Sequence, residues 1–499
     1  MPKTVSSFEL TLDRRPENQT LTSWLYAELR IAILEGRLAL GTRLPASRDF
    51  ASQYGLSRGT VVSVFERLQA EGYVTSRVGF GTLVNRVAVV RPARQMSATP
   101  PAYIRRAISA HELPRPWVDL PFTKGIRPFR IGGPATDAFP SKVWGQISAR
   151  YARNFSSWLK TEADRGGYRP LRDAVADYLR ATRGVRCNSE QIVIVSGAQQ
   201  ALDLLARLLL KEHDQVWMED PGYFGASIAF GNVGAEIIPV PVDEEGLSVS
   251  AGEKICPHAK GVYLTPAHQF PLGMTMSLER RMAVLNWAKR TGAFVIEDDY
   301  DSEFRFEGEP VPCLQSLDNH SNVILIGTFS KTLFESLRLG YVVLPPSLVD
   351  CFLAFRYRTD FRNSNVDQAV LCEFIVEGHL ARHMRKMREL YGSRLAALID
   401  GGKQHLSGLL EISNVRAGLY TIGFLTNGMT SRQAEKSAAV EGIEALGVDR
   451  YTFKRTDPKG VVLGFAAYPE PAIRNALIQL AKAFSSGTAR AEVECSAVG

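Results

Sequence analysis

Val323-Ile324-Leu325-Ile326-Gly327-Thr328-Phe329-Ser330-Lys331 decides how this chain is read. Four consecutive apolar residues without polar alternation describe a strand buried on both faces. A glycine, two hydroxyl residues and a lysine follow at its carboxyl end, and Arg338 stands seven residues beyond the lysine. The same pattern recurs upstream. Gln191-Ile192-Val193-Ile194-Val195 runs into Ser196-Gly197-Ala198-Gln199-Gln200 and then a leucine-rich helical stretch. Gly261-Val262-Tyr263-Leu264-Thr265 reads as another strand, and Phe294-Val295-Ile296 precedes Glu297-Asp298-Asp299-Tyr300-Asp301. Such strands alternating with helical segments from residue 122 onward predict an α/β fold with a doubly wound sheet. Ligands of such sheets gather at the carboxyl ends of the strands, where these hydroxyls, acids and the lysine fall.

Those residue types suit one kind of chemistry. A lysine beside small hydroxyls and an arginine suits a Schiff base held next to a phosphate. The turn at residues 196–200, at a helix N-terminus, is a ready phosphate cradle, although many βα turns look alike. The acids after strand 294–296 suggest a metal site, but no histidine accompanies them, so no metal is expected. A carboxylate there instead pairs with a cationic heterocycle, and Tyr300 donates to a neighbouring oxygen. Pyridoxal 5′-phosphate needs a lysine for its aldehyde, an acid for its ring nitrogen, donors for its phosphate and an aromatic on its ring face. Tyr223, after Glu219-Asp220-Pro221-Gly222, is the stacking candidate.

The first quarter of the chain reads differently. Leu21, Leu25, Leu29, Ala32 and Ile33 recur at helical spacing as far as Gly36. Ser47 is expected to cap a short helix over 48–54, closed by Gly55, and Ser57 to cap a third with the apolar stripe Val61, Val64, Phe65 and Leu68. Residues 73–76 and 82–84 flank a glycine-bearing turn and predict two strands. Helix, tight turn, helix and β-ribbon form a winged helix-turn-helix. The third helix presents Ser57, Arg58, Gly59 and Thr60 to phosphates and base edges of double-stranded DNA. Arg43, Ser47 and Arg48 lie beside the backbone, and Arg77 with the wing glycines Gly79 and Gly81 reaches the minor groove. Charge agrees: residues 1–130 carry 19 Lys/Arg against 10 Asp/Glu, whereas the remainder carries 40 against 42. A surplus confined to one quarter of the chain fits a polyanion partner.

These parts predict three segments: a DNA-binding head over 15–86, a linker over 87–124 and a large domain over 125–485. The linker contains Pro92, Pro100, Pro101, Pro114, Pro116 and Pro121, which oppose continuous helix or sheet, with room for one helical turn near 103–110. The last dozen residues read as a frayed tail. With 499 residues, 45% of them hydrophobic and 22% charged, the chain is globular, and no apolar run approaches a membrane span. No secretory leader is evident at the start, and six scattered cysteines give neither a disulfide framework nor a zinc site. A reducing cytosol fits best.

Two resemblances sharpen this reading. Gly41-Thr42-Arg43-Leu44-Pro45-Ala46-Ser47-Arg48, Leu56-Ser57-Arg58-Gly59-Thr60-Val61, Glu71-Gly72-Tyr73-Val74 and Gly79-Phe80-Gly81-Thr82 resemble GntR-type winged-helix regulators, with Ala46 where that family often has serine. Gly167-Tyr168-Arg169-Pro170-Leu171-Arg172, residues 196–200, 219–223 and 297–304, and Gly327-Thr328-Phe329-Ser330-Lys331 resemble fold-type I aminotransferases. The fusion of the two resembles the MocR/GabR family of transcription regulators.

The resemblance implies that Lys331 takes the aldehyde of pyridoxal phosphate, that Asp298 meets the ring nitrogen and Tyr300 the ring oxygen, and that Tyr223 stacks on the ring. It implies that Gln199, Thr328, Ser330, Arg338 and the backbone of Ala198 hold the phosphate. It also implies a head-to-tail homodimer in which Tyr168 reaches the phosphate of the neighbouring subunit's cofactor and each head lies over the other subunit's large domain. Three departures matter. Ala198 replaces a hydroxyl, Phe270 replaces an asparagine that helps hold the ring oxygen, and the C-terminal arginine that clamps a substrate carboxylate is not evident. Arg416 and Arg450 stand open as substitutes, although each also reads as a surface arginine. The expected function is a regulator that senses an amino-group effector, or the cofactor itself. The alternatives are an active aminotransferase carrying a DNA-binding head, which Phe270 and the missing clamp disfavour, and a regulator whose large domain is empty and purely structural.

Overall fold

The computed structural model describes residues 8–77, 81–85, 127–154, 164–308, 311–360, 363–455 and 459–496. The chain divides into two compact units, Met1–Leu113 and Pro114–Gly499. The proline-containing linker and its possible helical turn lie outside the described residues. Among the described residues no helix is long and apolar enough to cross a membrane.

In the first unit, helices α1 (Leu21–Leu34), α2 (Ser47–Gln53) and α3 (Arg58–Ala70) enclose Leu25, Leu29, Phe50, Val61, Val64 and Leu68, all fully buried. Each such side chain contributes about 1.5–3 kcal/mol relative to exposure, so the apolar stripes alone specify how the three helices pack. The Ser57 hydroxyl accepts the Thr60 N–H at 3.1 Å, capping α3 as its sequence predicts. The expectation for Ser47 does not hold. Helix α2 begins at Ser47 itself, Ala46 occupies the cap position, and no side chain caps that end. Because Ala46 stands where a hydroxyl is usual, the start of this helix lacks the donor–acceptor pair that capping needs.

The β-ribbon has three strands. The third, β1 (Arg43–Leu44), pairs antiparallel with β3 (Gly81–Val84), which also pairs with β2 (Val74–Arg77). Two residues are too short for a periodic signal, so β1 was not legible. It brings the Arg43 guanidinium over Gly81, where a Cβ would lie 2.8 Å from Nε.

The second unit is built on an eight-stranded sheet of order β4-β11-β10-β9-β8-β5-β6-β7. Its strands are β4 (Ile192–Val195), β5 (Gln215–Asp220), β6 (Glu236–Asp243), β7 (Gly246–Leu247), β8 (Gly261–Leu264), β9 (Phe294–Asp299), β10 (Val323–Thr328) and β11 (Gly340–Val343). β10, β9, β8, β5 and β6 run parallel; β11 runs antiparallel between β10 and β4. Consecutive residues of the strands enter opposite layers. Val193 and Val195 pack with helix Ala198–Leu209, while Ile192 and Ile194 pack with helix Arg169–Arg183. That double burial is why the strands read as unbroken apolar runs.

A four-stranded antiparallel sheet, β12 (Leu410–Ile412), β13 (Tyr420–Leu425), β15 (Gly460–Gly464) and β14 (Leu446–Gly447) in the order β12-β13-β15-β14, follows with the long helices His379–His405 and Glu470–Ser496. The second of these helices corrects the expectation of a frayed C-terminal tail, because it continues to Ser496. β9 and β10 also outrun their apolar cores and take in Glu297, Asp298, Asp299, Gly327 and Thr328, with Ile326 opposite Asp298. Acids inside a central strand persist because each has a partner: Glu297 accepts the Leu314 and Gln315 N–H groups, Arg183 pairs with Asp299, and Tyr263 donates to Asp298.

Candidate cofactor site and DNA-binding head

The carboxyl ends of β4, β8, β9 and β10 open into a cavity of about 490 Å³, closed on its other side by residues of β13 and of the 444–451 segment. Lys331, Asp298, Tyr300, Tyr223, Ala198, Gln199, Thr328, Ser330 and Arg338 all line it. Tyr168 does not. It precedes helix Arg169–Arg183, and its N–H donates to Gln368 Oε1 at 2.8 Å.

Lys331 Nζ donates to the Gly132 carbonyl at 2.8 Å and lies 3.7 Å from Glu335 Oε1. Its side chain keeps 30% of its surface, open to the cavity. Burial holds the amine below the ordinary lysine range, against the pull of Glu335 and Asp301. Gly132 has φ +88°, and a Cβ there would sit 2.4 Å from Nζ, so only glycine leaves room for this contact.

Asp298 is buried at the cavity floor. Tyr263 donates to its Oδ2 at 2.8 Å, and its Oδ1 has no hydrogen-bond partner among the described residues. Burial pushes the carboxyl up to about 7, with Asp299 and Asp301 adding to the rise and Tyr263 and Lys331 opposing it. The Tyr300 hydroxyl donates to the His268 carbonyl at 2.8 Å and lies 2.7 Å from the Tyr420 hydroxyl. Behind it, His268 Nδ1 and Asp301 Oδ2 are 2.8 Å apart and fully buried. Phe270 brings no donor to this corner. Its ring stands edge-on to Tyr451, Tyr223 and Tyr420, with centroids 5.0, 5.8 and 5.8 Å away.

At the opposite end Gly197 caps helix Ala198–Leu209 without a side-chain bond, which leaves that helix start open toward the cavity. The Gln199 amide is already used, donating to the Gly225 carbonyl at 2.8 Å, while Tyr223 donates to its oxygen at 3.4 Å. Thr328 Oγ1 accepts the Ser330 N–H at 3.1 Å, and the buried Ser330 Oγ has no partner among the described residues. Among the described residues Arg338 makes no ion pair.

Of the two arginines left open as a carboxylate clamp, Arg416 does not line the cavity, and its carbonyl accepts the Phe306 and Glu307 N–H groups. Arg450 lines it but is gripped by both oxygens of Glu435, Nε to Oε2 being 2.6 Å. Sequence reading missed Arg130, Gly132, Tyr263, Tyr420, Glu335 and Glu444. Tyr263 lies mid-strand and looked like ordinary core, and Tyr420 belongs to a different sheet. Gly132-Gly133 was the one legible cue, since paired glycines mark close approach.

In the head, Ser57, Arg58 and Gly59 are exposed and Thr60 is half-buried at the start of α3. Arg43 and Arg48 are exposed and Ser47 and Gly81 are half-buried. Among the described residues Arg43, Arg48 and Arg58 make no ion pair, whereas Arg37 and Arg67 pair with Glu35 and Glu71. Gly79 and the side chain of Arg77 lie outside the described residues.

The donor set fits a phosphorylated, positively charged heterocycle. A buried carboxylate oxygen without a partner suits a protonated ring nitrogen. An open helix start, an unpaired arginine and an orphaned hydroxyl suit a phosphate at the other end.

Two families match this chain. Residues 21–84 match the family of bacterial regulatory proteins, gntR family, and residues 137–434 match aminotransferase class I and II. The chain is 38% identical to the probable rhizopine catabolism regulatory protein MocR of Rhizobium meliloti, over 92% of this chain and 93% of that protein. It is 28% identical to the pyridoxine biosynthesis transcriptional regulator PdxR of Corynebacterium glutamicum, over 94% and 97%. Among solved structures it is similar to the Pyrococcus horikoshii kynurenine aminotransferase in complex with PMP, with TM-score 0.67, 26% identity and 78% and 95% of the two chains covered. A second is LysN, an α-aminoadipate aminotransferase from Thermus thermophilus complexed with N-(5′-phosphopyridoxyl)-L-leucine, with TM-score 0.68, 25% identity and 76% and 98% covered. A gntR-type head and a pyridoxal-phosphate aminotransferase domain, together aligned with MocR over 92% of this chain, make this chain a member of the MocR-type family of GntR transcription regulators.

Proposed function

We propose that this protein is a transcription regulator that senses an amino-group effector, or pyridoxal phosphate itself, at Lys331, and that it acts as a head-to-tail homodimer on double-stranded DNA. The observation that carries the reading is the Lys331 amine, held below its ordinary range in a cavity that also presents the unpartnered Asp298 Oδ1. When bound, pyridoxal phosphate supplies an aldehyde that a primary amine can take. Asp298, its Oδ2 held by Tyr263, would accept a hydrogen bond from the protonated ring nitrogen. Tyr223 covers the ring face and Tyr300 meets the ring oxygen, with Tyr420 as its neighbour. The backbone of Ala198 and Gln199, the hydroxyls of Thr328 and Ser330, and Arg338 hold the phosphate. Tyr168, being outside this cavity, serves the partner subunit's phosphate.

Lys331 is thereby exchangeable. Lys331, if released by an effector amine, would change its contacts with Gly132 and Glu335. If two conformations of the dimer hold the effector unequally, DNA affinity changes by that difference. Phe270, without a donor for the ring oxygen, and Arg450, locked by Glu435, both argue against fast transamination. The test is a spectral titration of the purified, vitamin B6-loaded protein with primary amines, run beside operator binding. The expected result is an absorbance shift that tracks a change in DNA affinity; a colourless protein, or turnover of amino acid and keto acid without any effect on DNA binding, overturns the reading.

A further inference from the structure

The charges lining the cavity are unevenly committed. Among the described residues four cations line it: Arg130, Lys331, Arg338 and Arg450. Lys331 and Arg338 serve the cofactor's aldehyde and phosphate in the function proposed above, on which this inference rests. The other two already face carboxylates. Glu435 grips Arg450 with both oxygens, and Arg130 Nε lies 3.9 Å from Glu444. A ligand carboxylate entering here has to share either arginine with a protein carboxylate and lies beside its like charge, which is unfavourable.

The acceptors are in the opposite position. The Gly132 carbonyl takes a hydrogen bond from Lys331 Nζ, and the half-exposed Glu335 carboxylate stands 3.7 Å from the same atom. A carbonyl oxygen and a carboxylate each accept more than one donor, so both residues, which line the cavity, can take a further donor from a ligand beside the lysine. The remaining wall, Phe270 against Tyr451, offers aromatic surface rather than a cation. We infer that the effector is a primary amine carrying a second hydrogen-bond donor, an ammonium or a hydroxyl, and no carboxylate, and that Glu335 and the Gly132 carbonyl read that second donor.

A panel of equal chain length isolates the terminal group: 1,4-diaminobutane, 4-aminobutan-1-ol, 4-aminobutanoate and butylamine, titrated into the cofactor-loaded full-length protein by visible absorbance and calorimetry. The diamine or the amino alcohol is expected to bind at least about tenfold tighter than the other two, the worth of one charge-assisted hydrogen bond. Glu335→Gln should weaken the diamine while leaving 4-aminobutanoate unchanged or tighter. These opposite signs cannot come from a damaged fold, which weakens all four. The inference is overturned if 4-aminobutanoate binds tightest, if the four are not discriminated, or if Glu335→Gln moves them together. A coloured protein that none of the four perturbs overturns the sensing reading itself, and a colourless one overturns the cofactor site beneath it.

Discussion

Asp298 and Lys331 are both displaced toward neutrality by the same cause, removal from water. For Asp298 the sign of the consequence follows from linkage. Its carboxyl titrates near 7 in the folded cofactor-free protein and near 3.8 unfolded, so between these values the folded state binds more protons. Stability is therefore greatest at the acid end of that window and is lost as pH rises through it. Glu219, pushed to about 7 by burial, acts in the same direction. Asp298→Asn should flatten, without abolishing, the fall in Tm of the cofactor-free protein between about pH 4 and pH 7; an unchanged slope in thermal scans would show that the carboxyl is not desolvated. Gly132→Ala tests the other residue. Its methyl would occupy the place of Lys331 Nζ, 2.4 Å away. Overpacking of this kind costs about 1–3 kcal/mol as long as Nζ stays against Gly132, so the variant should lower the Tm of the cofactor-free protein, and an unchanged Tm would contradict the contact.

At the level of elements, the two serines that look alike in sequence differ in what they do. Ser57 caps α3 and accepts the Thr60 N–H, whereas Ser47 is the first residue of α2 and caps nothing. Ser57→Ala should cost the head about 1 kcal/mol, and Ser47→Ala only a few tenths, by urea denaturation of the full chain followed at the head's transition. Equal losses would contradict the cap assignment. The same contrast explains what sequence could and could not reveal. Three helices and four buried strands announce themselves because periodicity and unbroken apolar runs are local signals. β1 is too short to have a period, and β9 hides its last turns of strand behind acids whose partners, Arg183 and Tyr263, come from other elements. Lys331 and Asp298 stood at legible strand ends, and Tyr223 followed the motif Glu219-Asp220-Pro221-Gly222. Arg130, Gly132 and Tyr420 did not, because tertiary packing, not spacing, delivers them to the cavity.

For the whole molecule, the surplus positive charge of the first 130 residues and the near neutrality of the rest separate two properties that single substitutions can address independently. Arg58 is exposed at the start of α3 and unpaired among the described residues, so Arg58→Ala should weaken operator binding and lower the salt slope of log K by about one if it meets a phosphate. Lys331→Ala removes the exchangeable amine and leaves that surface untouched. It should bind operator within about twofold of the parent at matched salt, since no phosphate contact is lost, yet show no change in affinity when an amine is added. Coupling is reciprocal, so an effector that shifts operator binding must itself bind more or less tightly when operator is present, by the same factor. Titrating amine with and without operator in the parent protein measures that factor directly. A factor of one, in a protein whose spectrum responds to the amine, would mean that the cavity binds its ligand without informing the head.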